Sequence, residues 1–188
     1  MYRLSKITAG VCSLYILAAS LGALVLIPLQ FHAFPELSLL VSLIYIPAGI
    51  RVFATVLFGT QAIPGIFLGT LLSARFLSGI DSTVFLVSIS VISAAAAPIV
   101  FYGLQSIGIS PYYLRIEEKL PKREALLLAG FLTSVVNGFF LTAVLEHLTD
   151  LRAVSLTMAA VFVGDFIGFL VVILLAKLTV GSEENNTQ

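Results

Sequence analysis

The sequence predicts an all-α integral membrane protein, a bundle of about six transmembrane helices with both termini in the cytoplasm. Three observations predict it. Of 188 residues, 59% are hydrophobic, and the mean hydropathy is +1.09. Charged residues make up 11%, against roughly 25% in a soluble domain. The apolar residues fall in runs close to the roughly 20 that a helix needs to cross a bilayer. A water-soluble globule of this size could not bury so much apolar surface, so the first partner is the lipid bilayer.

The first helix is expected over about residues 8–28. Its flank holds Arg3 and Lys6, and the apolar run continues to Pro28. A secretory signal would show a shorter apolar core and a cleavage site, so the segment is read as retained. The second helix is placed at about 38–58 and the third at about 62–79. Between them stands "FGTQAIPG", where Gly59, Thr60, Gln61 and Pro64 are the breakers. A tight hairpin fits there, because Pro64 and Gly65 suit a helix start. The fourth helix is expected at about 83–106, the fifth at about 124–145 and the sixth at about 154–177. Residues 1–178 thus form one polytopic domain, and 179–188, ending "GSEENNTQ", a short polar tail expected to be disordered.

Orientation follows from the basic residues in short loops. With six alternating helices, Arg3, Lys6, Arg115, Lys119, Lys122, Arg123 and Lys177 share one side. The other side holds Glu36, Asp81, Glu146 and Asp150, with Arg152 as its basic residue. Between helices four and five, 111–123 reads as a surface segment anchored by Tyr112 and Tyr113, or as a solvated loop.

Composition excludes several functions. The formal net charge is zero, so no basic surface is offered to nucleic acid. The single Cys12 lies in an apolar run and has no disulfide partner within the chain. His32 and His147 fall at predicted helix ends, and no metal motif is present, so no metal or cofactor is implied. Catalysis needs a nucleophile with a base, paired carboxylates or metal ligands. None is visible, so an enzyme is not expected.

Three ionisable residues fall inside predicted spans: Arg51, Arg75 and Asp165. A charge at the bilayer centre costs roughly 2.5–3.5 kcal/mol on insertion scales. Such a side chain should face the bundle interior, pair, or reach an interface. At about 1.5 Å per residue, Arg51 lies roughly 10 Å from the cytoplasmic side, Asp165 roughly 18 Å and Arg75 roughly 20 Å. A pair between Asp165 and an arginine is therefore within reach. For Arg51 the other structural role is a bond to the Leu43 carbonyl, left without its donor by Pro47. Arg75 is close enough to the outer end of its helix to snorkel. Asp165 is either an arginine counter-ion or a ligand or proton site. Two arginines against one aspartate leave one surplus positive charge, which favours a small anionic ligand or lipid head group. Asn137, in "SVVNGFF", could line the same cavity or bond across helices.

Small residues recur in the spans. Gly65 and Gly69 stand at GxxxG spacing before Ser73, and Gly164 and Gly168 flank Asp165. They allow close helix packing, or open room for a ligand or for helix movement.

The run "YIPAGIRVFATVLFGTQAIPGIFLGTLLSA" resembles the membrane-associated sensor (MASE-type, first class) domain family of bacteria. The resemblance rests on Tyr45, Pro47, Gly49, Ile50, Gly59, Pro64, Ile66 and Gly69, and near the C-terminus on Gly164, Asp165 and Gly168. It covers about residues 5–178. It implies a sensory module of the bacterial inner membrane whose members usually carry a kinase or cyclase output domain. This chain departs from that pattern: it shows no output domain, it has fewer helices, and Arg51 stands where a small or apolar residue is expected. A separate signalling or transport protein is then the expected partner.

The sequence thus leaves a non-catalytic sensory or ligand-binding membrane module as the first reading. A small-solute transporter, or its substrate-binding subunit, is the second, since six helices in about 190 residues match the vitamin-binding subunits of energy-coupling-factor transporters. A structural subunit of a membrane complex is the third.

Overall fold

The computed structural model describes residues 2–33, 42–79, 81–111, 122–148 and 154–185. Tyr112, Tyr113 and most of the loop between helices four and five lie outside them, as do residues 38–41 of the expected second helix. All regular structure among the described residues is helical. Five stretches are long and apolar enough to cross a membrane: Arg3–Gln30, Ile46–Leu77, Thr83–Ser106, Arg123–Val144 and Met158–Leu178. The protein is a multi-pass membrane protein by that measure.

The first stretch is α1 (Tyr2–Leu21), a π-helical turn (Gly22–Leu26) and α2 (Ile27–Ala33). The helix therefore runs past Pro28 instead of ending there. Pro28 has no N–H and its ring would crowd the carbonyl four residues back. The wider π turn, closed by Ile27 N–H on the Gly22 carbonyl, sits immediately before it.

The second stretch is divided. It contains α3 (Ile46–Phe58), a 3-10 turn (Gly59–Ala62) and α4 (Ile63–Leu77). Tyr45 and Thr70 line one cavity. A straight helix between them would hold them more than 35 Å apart at about 1.5 Å per residue, so the chain doubles back at the turn. Gly59 makes the reversal with φ +58° and ψ −138°, a backbone shape that glycine adopts without Cβ strain. Pro64 stands in the first turn of α4, where a missing N–H costs nothing.

α3 starts later than the sequence suggests. Ser42–Tyr45 is not helical, and helix begins only at Ile46. Pro47 therefore occupies a first helical turn and frees no carbonyl within a helix. At 13 residues, α3 is about 20 Å long, short of the roughly 30 Å hydrocarbon core. Its unwound approach is held by protein: Tyr45 N–H donates to the Gly164 carbonyl at 2.9 Å, and Leu43 N–H to Gln30 Oε1 at 2.7 Å. Irregular backbone at membrane depth is stable only when it is satisfied in this way.

The remaining helices are α5 (Thr83–Ser106), α6 (Lys122–Leu148) and α7 (Val154–Asn185). Ser82 caps α5 by accepting from Phe85 N–H. α7 extends to Asn185. No proline interrupts it, and Gly181 costs only about 1 kcal/mol in a helix.

The helices close into a ring, in the order α1, α4, α5, α6, α7, α3 and back to α1. Small residues bring neighbours together. A Cβ on Gly65 would stand 2.7 Å from Val11 Cβ, and one on Gly69 2.8 Å from Tyr15 Cβ. This succession makes α1 and α4 parallel. In the same manner Gly164, Gly168 and Gly49 set Ser42, Tyr45 and Val172 at contact, so α3 descends alongside α7. Between α6 and α7, Phe131 meets Phe162 and Phe166 edge-on at 5.4 and 5.6 Å. Lipid tails are as apolar as these side chains, so it is close packing that holds such helices together.

A polar cavity beside a buried ion pair

α3 covers about two thirds of a span and fills the ring along that length. Ile50 and Ala54 pack there against Val11, Tyr15, Ala62 and Ile66. At the start of α3, beside Tyr45, lies a cavity of about 190 Å³. Its polar wall is formed by Ser42, Tyr45, Thr70, Ser73, Ser93, Asn137 and Asp165. One turn along the same helices the lining is mostly apolar, with Leu77, Ile89 and Leu141 beside Ser78, and Ala19, Ala23 and Ile27 add apolar surface from the first stretch. Gly22 and Ala23 of the π turn also line it, and π turns are frequent at functional sites.

Arg51 lies just behind this wall, fully buried. Its Nη2 donates to Asp165 Oδ2 at 3.0 Å. Asn137 Nδ2 donates to the same oxygen at 2.7 Å. Both bonds fall on Oδ2, and among the described residues Oδ1 accepts none. Arg51 itself does not line the cavity. Its Nε and Nη1 have no hydrogen-bond partner among the described residues. Tyr15 and Tyr45 pair through their hydroxyls at 3.2 Å.

Three polar groups in the wall are buried and unpartnered: Thr70 Oγ1, Ser73 Oγ and Asn137 Oδ1. Other hydroxyls in these helices bond to the carbonyl one turn back. Thr55 does so to Arg51, Ser90 to Leu86 and Ser134 to Gly130. Thr70 and Ser73 do not, and both residues line the cavity. Ser110, Thr133 and Thr142 are also buried without a partner, but away from it. An unsatisfied buried polar group costs about 1–3 kcal/mol. Three of them on one wall make a surface suited to a hydrogen-bonding guest.

Of the four ionisable or polar residues singled out from the sequence, the fold joins Arg51, Asp165 and Asn137 and leaves Arg75 apart. Arg75 pairs with Asp81 at the surface, with the two side chains 47% and 87% exposed. The bundle interior therefore has no surplus positive charge from it, and the arithmetic that favoured an anion loses its basis. The expected bond from Arg51 to a carbonyl freed by Pro47 is replaced by the bond to Asp165. Tyr45 and its neighbour Ser42 border the cavity, whereas Pro47, Gly49, Gly59, Pro64, Gly65, Gly69, Gly164 and Gly168 shape the backbone around it.

Sequence reasoning missed Thr70, Ser42 and Ser93, and noted Ser73 only beside the small residues Gly65 and Gly69. Thr70 and Ser73 stand three apart in an apolar run beside Gly69, a spacing that puts them on one helix face. That signal was available. Compared with family models, with curated proteins and with solved structures, the chain matches none.

Proposed function

We propose that this protein is a non-catalytic ligand-binding module of the bacterial inner membrane, of the sensory kind that its motifs resemble. The observation that carries the reading is the cavity wall: Thr70, Ser73 and Asn137 present unpartnered polar atoms inside an otherwise apolar bundle. Such groups are expensive in a membrane interior unless something binds there. The reversal at Gly59 supports six passes, with the N-terminus, the Gly59–Ala62 turn and the end of α7 at the cytoplasmic face. The cavity then lies in the outer half of the membrane, and the side chains around α3 close the inner half. A signalling partner would read the occupied state through the helix ends.

A second reading is the substrate-binding subunit of a transporter. It is favoured by the non-helical backbone before α3, where Ser42 and Tyr45 border the cavity. Non-helical backbone beside the solute site is a recurring feature of transporters.

The test is a solute screen by thermal unfolding of the protein in lipid nanodiscs, run in parallel on Asn137→Leu. The reading expects at least one solute that raises the melting temperature of the wild type and not of the variant. It is abandoned if no solute separates the two. Time-dependent accumulation of that solute in vesicles, once a partner ATPase is supplied, would favour the transport reading.

A further inference from the structure

The cavity's charge and hydrogen-bonding pattern identify the chemical class of its guest, and this inference rests on the ligand-binding reading above. Among the described residues, Asp165 is the one charged side chain that lines the cavity, and Arg51 already compensates it at 3.0 Å. An ion entering the cavity would meet no free counter-charge in a medium where an unpaired charge is strongly disfavoured. The polar atoms also have a defined sense. The Asn137 amide nitrogen is committed to the Asp165 carboxylate. A carboxylate only accepts, so the amide must turn its N–H to it and leave Oδ1 as an acceptor. Thr70 and Ser73 can donate or accept. The guest must therefore bring at least one O–H or N–H donor to Asn137. The rest of the lining, with Ala19, Ala23, Ile27, Ile89 and Leu141, is apolar and favours an apolar body. A cavity of about 150 Å³ holds a benzene ring, and this one measures about 190 Å³.

We propose that the site binds a small neutral solute about the size of a substituted benzene, with a hydroxyl or amide donor at one end and an apolar body at the other. Asn137 Oδ1 takes the donor, and the Thr70 and Ser73 hydroxyls complete the polar contact.

The experiment uses the full-length protein with Cys12→Ser and Ala74→Cys, which places a thiol in the cavity wall without removing a polar group. Its modification rate by methyl methanethiosulfonate is measured in nanodiscs with four probes of similar size: benzyl alcohol, benzylammonium, benzoate and toluene. The expected result is that benzyl alcohol slows modification about fivefold when held at about four times its dissociation constant, and the other three leave the rate unchanged. The protection is expected to vanish in Asn137→Leu and in Thr70→Val/Ser73→Ala, either of which suffices if the other fails to fold. Protection by benzylammonium or benzoate equal to that by benzyl alcohol would overturn the neutral class and keep the ligand-binding reading. Equal protection by toluene would overturn the need for a donor. If no probe protects, or the thiol does not react at all, the site and the ligand-binding reading fall together.

Discussion

Arg51 on α3 and Asp165 on α7, 114 positions apart in the chain, share a 3.0 Å hydrogen bond from Nη2 to Oδ2 in a part of the bundle sealed from solvent. The bond ties the short helix α3 to the last one beside the cavity that Asp165 lines. Breaking one side of a buried pair leaves an uncompensated charge, which typically costs about 3–5 kcal/mol. Arg51→Met and Asp165→Leu should each lose stability of that order in detergent unfolding experiments. Combined, they should recover most of it, because two apolar residues leave no charge behind. A double variant as unstable as the sum of the single ones would show that the pair is not the reason.

The surface pair of Arg75 and Asp81 should behave differently. Exposed ion pairs contribute about 0–1 kcal/mol. Arg75→Gln is expected to unfold within about 1 kcal/mol of the wild type and to bind cavity probes unchanged. A loss comparable to that of Arg51→Met would place Arg75 in the interior after all.

The glycines divide into two groups by what surrounds them. A Cβ on Gly168 would run into the Tyr45 carbonyl, which is backbone and cannot swing aside. Nothing stands within 4 Å of the position a Cβ would take on Gly10 or Gly103. Gly168→Ala should therefore destabilise the fold by forcing α3 and α7 apart. Gly10→Ala and Gly103→Ala should be neutral or stabilise by about 0.5–1 kcal/mol through helix propensity. Thermal melts of the three variants in the same detergent check this, and an unaffected Gly168→Ala would mean that α3 and α7 do not pack this closely.

The reversal at Gly59 makes a prediction about sidedness. Thr60 in the turn and Ser82 before α5 are both exposed. In a Cys12→Ser background, Lys6→Cys and Thr60→Cys should react with a membrane-impermeant maleimide only after cells are permeabilised. Ser82→Cys should react in intact cells. Labelling of Lys6→Cys and Thr60→Cys from opposite faces would make Ile46–Leu77 a single crossing.

Asn137 links the ion pair to the cavity, since its amide nitrogen serves Asp165, its oxygen is unpartnered and the residue lines the cavity. Asn137→Leu should remove one hydrogen bond to a charged group, worth about 1.5–3 kcal/mol, and abolish probe binding as well. A variant that keeps binding would move the recognition to Thr70 and Ser73.

The sequence by itself determined that the chain is a helical membrane protein, and it located most of the elements. The fourth helix was placed at 83–106 and is observed at Thr83–Ser106. Hydropathy and loop charge are local quantities, and a bilayer turns them directly into spans. Arg51, Asp165 and Asn137 were legible for the same reason: a polar group in an apolar run stands out without any knowledge of the fold. Only the tertiary structure decided which of them meet. Arg75 and Arg51 look alike in the chain, yet one reaches Asp81 at the surface and the other Asp165 in the interior, because helix rotation and neighbour identity are set by packing. The late start of α3 was equally hidden. Ser42–Tyr45 reads as part of an apolar helix, and it unwinds because α7 supplies the Gly164 carbonyl and α2 supplies Gln30 to satisfy its backbone. The cavity was hidden for the same reason, since Ser42, Tyr45, Thr70, Ser73 and Asn137 come from segments far apart in the chain and line one space only when the helices pack.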